Sequence, residues 1–92
     1  MSYGKYFMIV SEDSGLVLDV KGASTDTGTD VIMYEQSGND NQIWYEHPTT
    51  GTIRSKLSDL CLDFDSESMQ RHFMIRVCAT LHIYSFKVAV KI

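Results

Sequence analysis

Several features are scarce in this chain, and the shortage of basic residues and of an apolar stretch at its start bears on what it binds and where it acts. Its 92 residues include one proline, two cysteines and one tryptophan. Eight basic against twelve acidic residues give a net charge of −4, so it lacks the concentrated positive charge needed to bind nucleic acid. The start, Met-Ser-Tyr-Gly-Lys-Tyr, has no apolar stretch typical of a secretory signal. We therefore expect a cytoplasmic protein, or one released without a signal peptide.

Membrane insertion is not expected either. The most apolar stretch lies at the C-terminal end, but it is interrupted by charged or polar residues, namely Arg76, His82, Lys87 and Lys91. At 43% hydrophobic and 22% charged residues, the composition is typical of one small soluble domain.

The cysteines and histidines show no spacing that indicates a metal site, a cofactor or a catalytic centre. Cys61 and Cys78 lie 17 residues apart, without a Cys-x-x-Cys or Cys/His pattern typical of zinc. The favoured interpretation is that both cysteines are free, half-buried thiols of a protein in a reducing compartment. The alternative is a single disulfide between them. His47, His72 and His82 are scattered, and no nucleophile–base arrangement can be recognised. The chain is therefore not expected to be an enzyme.

Short runs of β-branched and aromatic residues, separated by clusters of Gly, Asn, Asp and Ser, predict an all-β fold. Strands are predicted at 5–10, 16–20, 31–35 and 42–46, with a surface loop at 21–30. In the second strand, Leu16, Leu18 and Val20 share one face while Val17 and Asp19 share the other.

The same pattern returns 44 residues later. Six of the twelve positions from 9 to 20 are identical after this shift, and Gly-Leu-Val-Leu-Asp-Val at 15–20 becomes Asp-Leu-Cys-Leu-Asp-Phe at 59–64. A repeat of this length, built of four short strands, indicates a repeated β unit. We therefore divide the single domain 1–92 into a first lobe (1–50), the start of a second lobe (51–68) and a divergent β-rich tail (69–92).

The tail differs from the rest in charge and pattern. No acidic residue follows Glu67. Apolar residues occupy odd positions from Phe73 to Ile83 and even positions from Tyr84 to Ile92, so a bulge or tight bend is predicted near Ile83–Tyr84.

The Leu-Asp-Val strand at 18–20, the Val-Ile-Met-Tyr strand at 31–34 and Asn-Gln-Ile-Trp at 41–44 together resemble one lobe of a ricin-type β-trefoil lectin, a family marked by a repeated Gln-x-Trp. The resemblance covers roughly residues 5–64. It implies three four-stranded lobes around a pseudo-threefold axis, and non-catalytic binding of a sugar or glycoconjugate, with galactose or N-acetylgalactosamine the expected ligand.

The resemblance also implies roles for single residues. Asp19 would accept hydrogen bonds from vicinal sugar hydroxyls, and Tyr34 would stack on the apolar face of the ring. Asn41 would contact another hydroxyl, Gln42 beside it would bridge site and scaffold, and Trp44 would fill the core.

Several departures from the family pattern matter. Ile32 stands where many members carry glutamine. After the shift of 44, Tyr34 falls on Cys78 and Asn41 on Ser85, which leaves Asp63 without its partners. A third lobe is absent. We therefore expect an incomplete trefoil. Either the tail closes the fold, or chains associate into a homo-oligomer that completes it, or the chain is a truncated form. A protein-interaction module that binds a partner through its apolar C-terminal strands is the alternative function.

Overall fold

The computed structural model of the chain describes residues 6–65 and 72–78, and these form antiparallel strands joined by turns. The strands are β1 (Tyr6–Phe7), β2 (Val17–Val20), β3 (Asp30–Tyr34), β4 (Trp44–Glu46), β5 (Ile53–Ser55), β6 (Cys61–Asp65) and β7 (His72–Arg76). They form one sheet in the order β1-β4-β5-β6-β7-β3-β2, and two 3₁₀ turns occupy Lys21–Ala23 and Asp40–Gln42. The all-β prediction is confirmed.

The β2–β3 hairpin separates a core face from a site face. Because strand side chains alternate and cross-strand partners share a face, Leu18, Val20 and Val31 lie on one side and pack into the core. Asp19 is paired with Ile32 on the opposite side, where Tyr34 also lies. The predicted alternation is therefore observed, although all four residues of β2 are buried.

Trp44 packs in the core and binds strand β4 to strand β2. Its side chain is fully buried against the core cluster, and its indole Nε1 donates a hydrogen bond to the carbonyl of Leu18 at 3.2 Å. A buried indole N–H needs such an acceptor, so Trp44 fixes β4 against the backbone of β2. This is the core role that the sequence predicts for it.

Strand β7, within the predicted tail, completes the hairpin of the second lobe. In β6–β7, Cys61 is paired with Arg76, as Val17 is paired with Tyr34 in β2–β3. The second hairpin is thus two residues shorter than the first. The shift of 44 that aligns β6 with β2 is therefore wrong for β7, and the counterpart of Tyr34 is Arg76, not Cys78.

Cys61 and Cys78 form a disulfide, so the favoured interpretation of two free thiols is wrong. Cys61 begins β6, and its cross-strand partner Arg76 lies two residues before Cys78. The antiparallel pairing brings the two cysteine Cα atoms to 5.2 Å, within the range that a disulfide requires. The sequence spacing alone did not indicate this pairing, because it depends on β6 and β7 being neighbouring strands of the folded sheet.

The bend predicted near Ile83–Tyr84 and the apolar strands from 79 to 92 lie outside the described residues. The division of the chain into 1–50, 51–68 and 69–92 stays a prediction. None of the helical segments within 6–65 and 72–78 is long and apolar enough to cross a membrane.

Candidate functional site

An open pocket of about 650 Å³ lies beside the β2–β3 hairpin, a volume within the range of small-molecule sites. Its walls come from β2, β3, both 3₁₀ turns and one residue of the second lobe. The lining residues are Asp19, Lys21, Gly22, Ala23, Ile32, Tyr34, Asn39, Asp40, Asn41 and Leu57. Three of the four residues predicted for the site, Asp19, Tyr34 and Asn41, therefore line one pocket.

Asp19 is a buried carboxylate whose orientation is fixed by two amide donors. Its exposed fraction is 6%. Oδ1 accepts a hydrogen bond from Asn41 Nδ2 at 3.1 Å, and Oδ2 accepts one from Gln42 Nε2 at 2.8 Å. A carboxylate offers about four acceptor positions, so these bonds orient the group and leave acceptor capacity toward the pocket.

Gln42 lies beneath the pocket and holds Asp19 in place. It is fully buried, and its Nε2 also donates to the carbonyl of Glu35 at 2.7 Å, while Oε1 accepts from the backbone N–H of Ser37 at 2.7 Å and of Gly38 at 3.4 Å. The donors and acceptor of this amide are thus occupied. Gln42 was predicted to bridge the ligand site and the scaffold. It does not line the pocket, and its contacts are with Asp19 and with backbone groups of the scaffold.

Asn41 and Tyr34 present complementary chemistry to the pocket. Asn41 Nδ2 donates to Asp19 and also to the carbonyl of Val20 at 3.3 Å, so its carbonyl oxygen remains the group able to accept a further hydrogen bond. Tyr34, at the end of β3, is 58% exposed. A half-exposed aromatic ring beside a fixed carboxylate and amide suits a ligand with one apolar face and several hydroxyls.

The turn Lys21–Ala23 forms another wall, and its backbone conformation is unusual. Gly22 and Ala23 have φ of +65° and +53°, in the left-handed region. Glycine adopts this region freely, but for alanine it carries a steric cost. Such strain is often found at functional sites, and here it brings backbone to the edge of the pocket.

The second lobe contributes a wall that sequence reasoning missed. Leu57 follows β5 and lines the pocket, and the neighbouring Lys56 Nζ lies 3.3 Å from Oδ1 of Asp40, which also lines it. Asn39 and Asp40 precede the Gln-x-Trp in sequence, so their position was a usable signal. Leu57 is remote in sequence from Asp19, and no pattern in the chain indicates its role.

The counterpart of this site in the second lobe is occupied by an arginine. Asp63 corresponds to Asp19, and Arg76 stands in the place of Tyr34. Arg76 Nε lies 3.1 Å from Asp63 Oδ2, and Arg76 Nη2 lies 3.1 Å from Met74 Sδ, the residue in the position of Ile32. Asp63 therefore pairs with an arginine, and no tyrosine occupies the position that Tyr34 has beside Asp19.

Within residues 6–65 and 72–78, no group of three or more His, Cys, Asp and Glu side chains has an arrangement that could hold a metal ion.

Comparison with known proteins gives one family. The model of the ricin-type beta-trefoil lectin domain matches residues 5–86. No curated protein matches the chain.

The solved structures that are similar to this chain over most of its length include the following three. The earthworm R-type lectin C-half in complex with GalNAc is 31% identical, with a TM-score of 0.72 over 84% of this chain and 58% of its own. An earthworm lectin C-terminal domain mutant in complex with 6'-sialyllactose is 31% identical, with a TM-score of 0.71 over 84% and 58%. The designed threefold-symmetric protein ThreeFoil is 30% identical, with a TM-score of 0.70 over 82% and 57%. The chain thus spans less than three fifths of these structures, as expected for an incomplete trefoil.

Proposed function

This chain belongs to the ricin-type β-trefoil lectin family, and from that premise we propose that it binds a galactose-type sugar, galactose or N-acetylgalactosamine, without transforming it. The proposed contacts are Asp19, Tyr34 and Asn41, with Gln42 positioning Asp19. The observation that carries the proposal is a buried carboxylate with free acceptor capacity in the same pocket as an exposed tyrosine ring.

The chemistry of a pyranose matches these groups. Its vicinal hydroxyls can donate to Asp19, its remaining hydroxyls can donate to the carbonyl oxygen of Asn41, and its C–H face can pack on Tyr34. Hydrogen bonds to an ionised acceptor are stronger than neutral ones, so Asp19 supplies the largest polar contribution. Because the acceptors are already oriented by Asn41 and Gln42, little ordering cost falls on binding.

One sugar per chain follows from the difference between the lobes. In the second lobe, the guanidinium of Arg76 already pairs with the carboxylate of Asp63, and no aromatic ring stands in the place of Tyr34. A single shallow site binds weakly, so useful avidity requires several copies. We include in the proposal that chains associate into a homo-oligomer, which would present several such sites on one particle.

Tyr34→Ala should lower the affinity for galactose about two- to twelvefold, the loss expected when a ring contact worth about 0.5–1.5 kcal/mol is removed. Tyr34→Phe should retain most of the affinity, because the stacking face is kept. Isothermal titration calorimetry with galactose measures both.

Tyr6→Ala is the matched control for Tyr34→Ala. Tyr6 is similarly exposed, at 54%, and does not line the pocket, so its removal should leave galactose affinity unchanged. An unchanged affinity in Tyr34→Ala, or an equal loss in Tyr6→Ala, would argue against the proposed site.

A further inference from the structure

We propose that Ile32 and Leu57 form an apolar wall that makes this site prefer N-acetylated galactose to unsubstituted galactose. The inference rests on the proposed function and assigns to the second lobe a part in sugar selection. It concerns the two large aliphatic side chains that line the pocket, one from each lobe.

Ile32 is a neighbour of both groups proposed to orient the ring. It is the cross-strand partner of Asp19 and stands two residues before Tyr34 on the same face of β3. Its side chain cannot hydrogen-bond a hydroxyl. A sugar hydroxyl placed against it would lose water without gaining a partner, whereas a methyl group placed there loses nothing.

Leu57 is held at the pocket by contacts between the two lobes. The backbone N–H of Lys56 donates to the carbonyl of Ile43 at 3.0 Å, and Ser55, almost fully buried, pairs with Trp44 across β4–β5. The backbone N–H of Leu57 itself donates to Ser55 Oγ at 3.2 Å. These bonds attach the turn after β5 to the first lobe, so Leu57 is a fixed part of the wall.

An ion pair between the side chains of Lys56 and Asp40 also connects the two lobes beside Leu57. Lys56 Nζ lies 3.3 Å from Oδ1 of Asp40, which itself lines the pocket. These contacts therefore hold an aliphatic residue of the second lobe in the wall of the pocket that the polar groups of the first lobe also line.

An acetamido substituent is the part of a galactose-type sugar that fits this wall. Its methyl group is apolar, and a hydroxyl at the same carbon offers nothing to Ile32 or Leu57. Burying one methyl-sized group against apolar side chains strengthens binding about fourfold. We therefore expect the unaltered protein to bind N-acetylgalactosamine at least about fourfold more tightly than galactose.

The test is the ratio of the two dissociation constants, measured by isothermal titration calorimetry on the full chain. Leu57→Ser and Ile32→Ser should each bring the ratio close to one, because the acetamido methyl group loses its apolar contact. Met33→Ser is the matched control, because Met33 is an exposed apolar residue of the same strand that points away from the pocket. Its ratio should equal that of the unaltered protein. Thermal unfolding of each variant verifies that it is folded at the titration temperature.

A preference that persists in both serine variants would overturn the inference, as would galactose and N-acetylgalactosamine binding equally to the unaltered chain. Either result leaves the proposed function standing, because galactose is bound. Failure of the unaltered protein to bind either sugar would instead overturn the proposed function, and this inference with it.

Discussion

Asp19→Asn is expected to weaken galactose binding by about 10- to 100-fold, the loss of one hydrogen bond to a charged acceptor worth about 1.5–3 kcal/mol. The substitution preserves size but replaces an acceptor oxygen with a donor. Because both Asn41 Nδ2 and Gln42 Nε2 donate to Asp19, the new amide must direct its N–H₂ at one of them or at the pocket. The site therefore loses both charge and orientation. Calorimetric titration with galactose measures the loss.

The second lobe offers a matched control for this change. Asp63→Asn makes the same substitution at the corresponding position, where the carboxylate faces Arg76 rather than a pocket with an aromatic ring. We expect galactose affinity to stay within about twofold, because Asp63 pairs with Arg76 in the second lobe and does not line the first-lobe pocket. Equal losses in Asp63→Asn and Asp19→Asn would contradict the assignment of binding to the first lobe.

The second large effect is expected from removing the disulfide. Replacing Cys61 and Cys78 together by serine should lower the free energy of unfolding by about 3 kcal/mol, the loop-entropy contribution for a loop of this length. For a domain of this size that corresponds to a fall in melting temperature of roughly 10–20 °C. Thermal unfolding followed by circular dichroism measures it.

Reduction gives an independent check on the same bond. A thiol reductant should lower the melting temperature of the unaltered protein to that of the double serine variant, and should not change the variant. Because the bond lies in the second lobe, galactose affinity of the folded variant should be unchanged. A melting temperature insensitive to both treatments would contradict a stabilising role for the disulfide.

The disulfide also bears on where the protein acts. Disulfides persist in oxidising environments and are rare in the reducing cytosol. Of the two locations expected from the sequence, cytoplasm or release from the cell, the bond favours the second, and we propose that the protein works outside the cell.

Local sequence patterns predicted the β2–β3 hairpin well, because its strands are short runs rich in β-branched and other apolar residues that end at turn-forming clusters. They also brought together Asp19, Tyr34 and Asn41, through resemblance to a lectin lobe. The structure adds that the side-chain amide of Gln42, beneath the pocket, forms hydrogen bonds with backbone groups of Glu35, Ser37 and Gly38. The positions of these backbone groups depend on the folded turn, so the sequence did not predict the bonds.

Contacts between the lobes could not be predicted from the sequence, and the reasons are physical. Leu57 reaches the pocket through strand pairing, which has no signature in local periodicity. Arg76 takes the place of Tyr34 because the second hairpin is two residues shorter, a change that a constant repeat length hides. The Cys61–Cys78 bond depends on the pairing of β6 with β7, which spacing along the chain does not show.

The most direct test of the account is a nuclear magnetic resonance titration of the ¹⁵N-labelled chain with galactose. We predict binding of one sugar per chain, with backbone amide shifts concentrated at the first-lobe pocket, at Gly22, Ile32, Tyr34 and Asn41. Amides of the second-lobe counterpart, Asp63, Met74 and Arg76, should remain unshifted. Shifts centred on Asp63 and Arg76, two sugars bound per chain, or no shifts at millimolar galactose would contradict the assignment of a single sugar site to the first lobe.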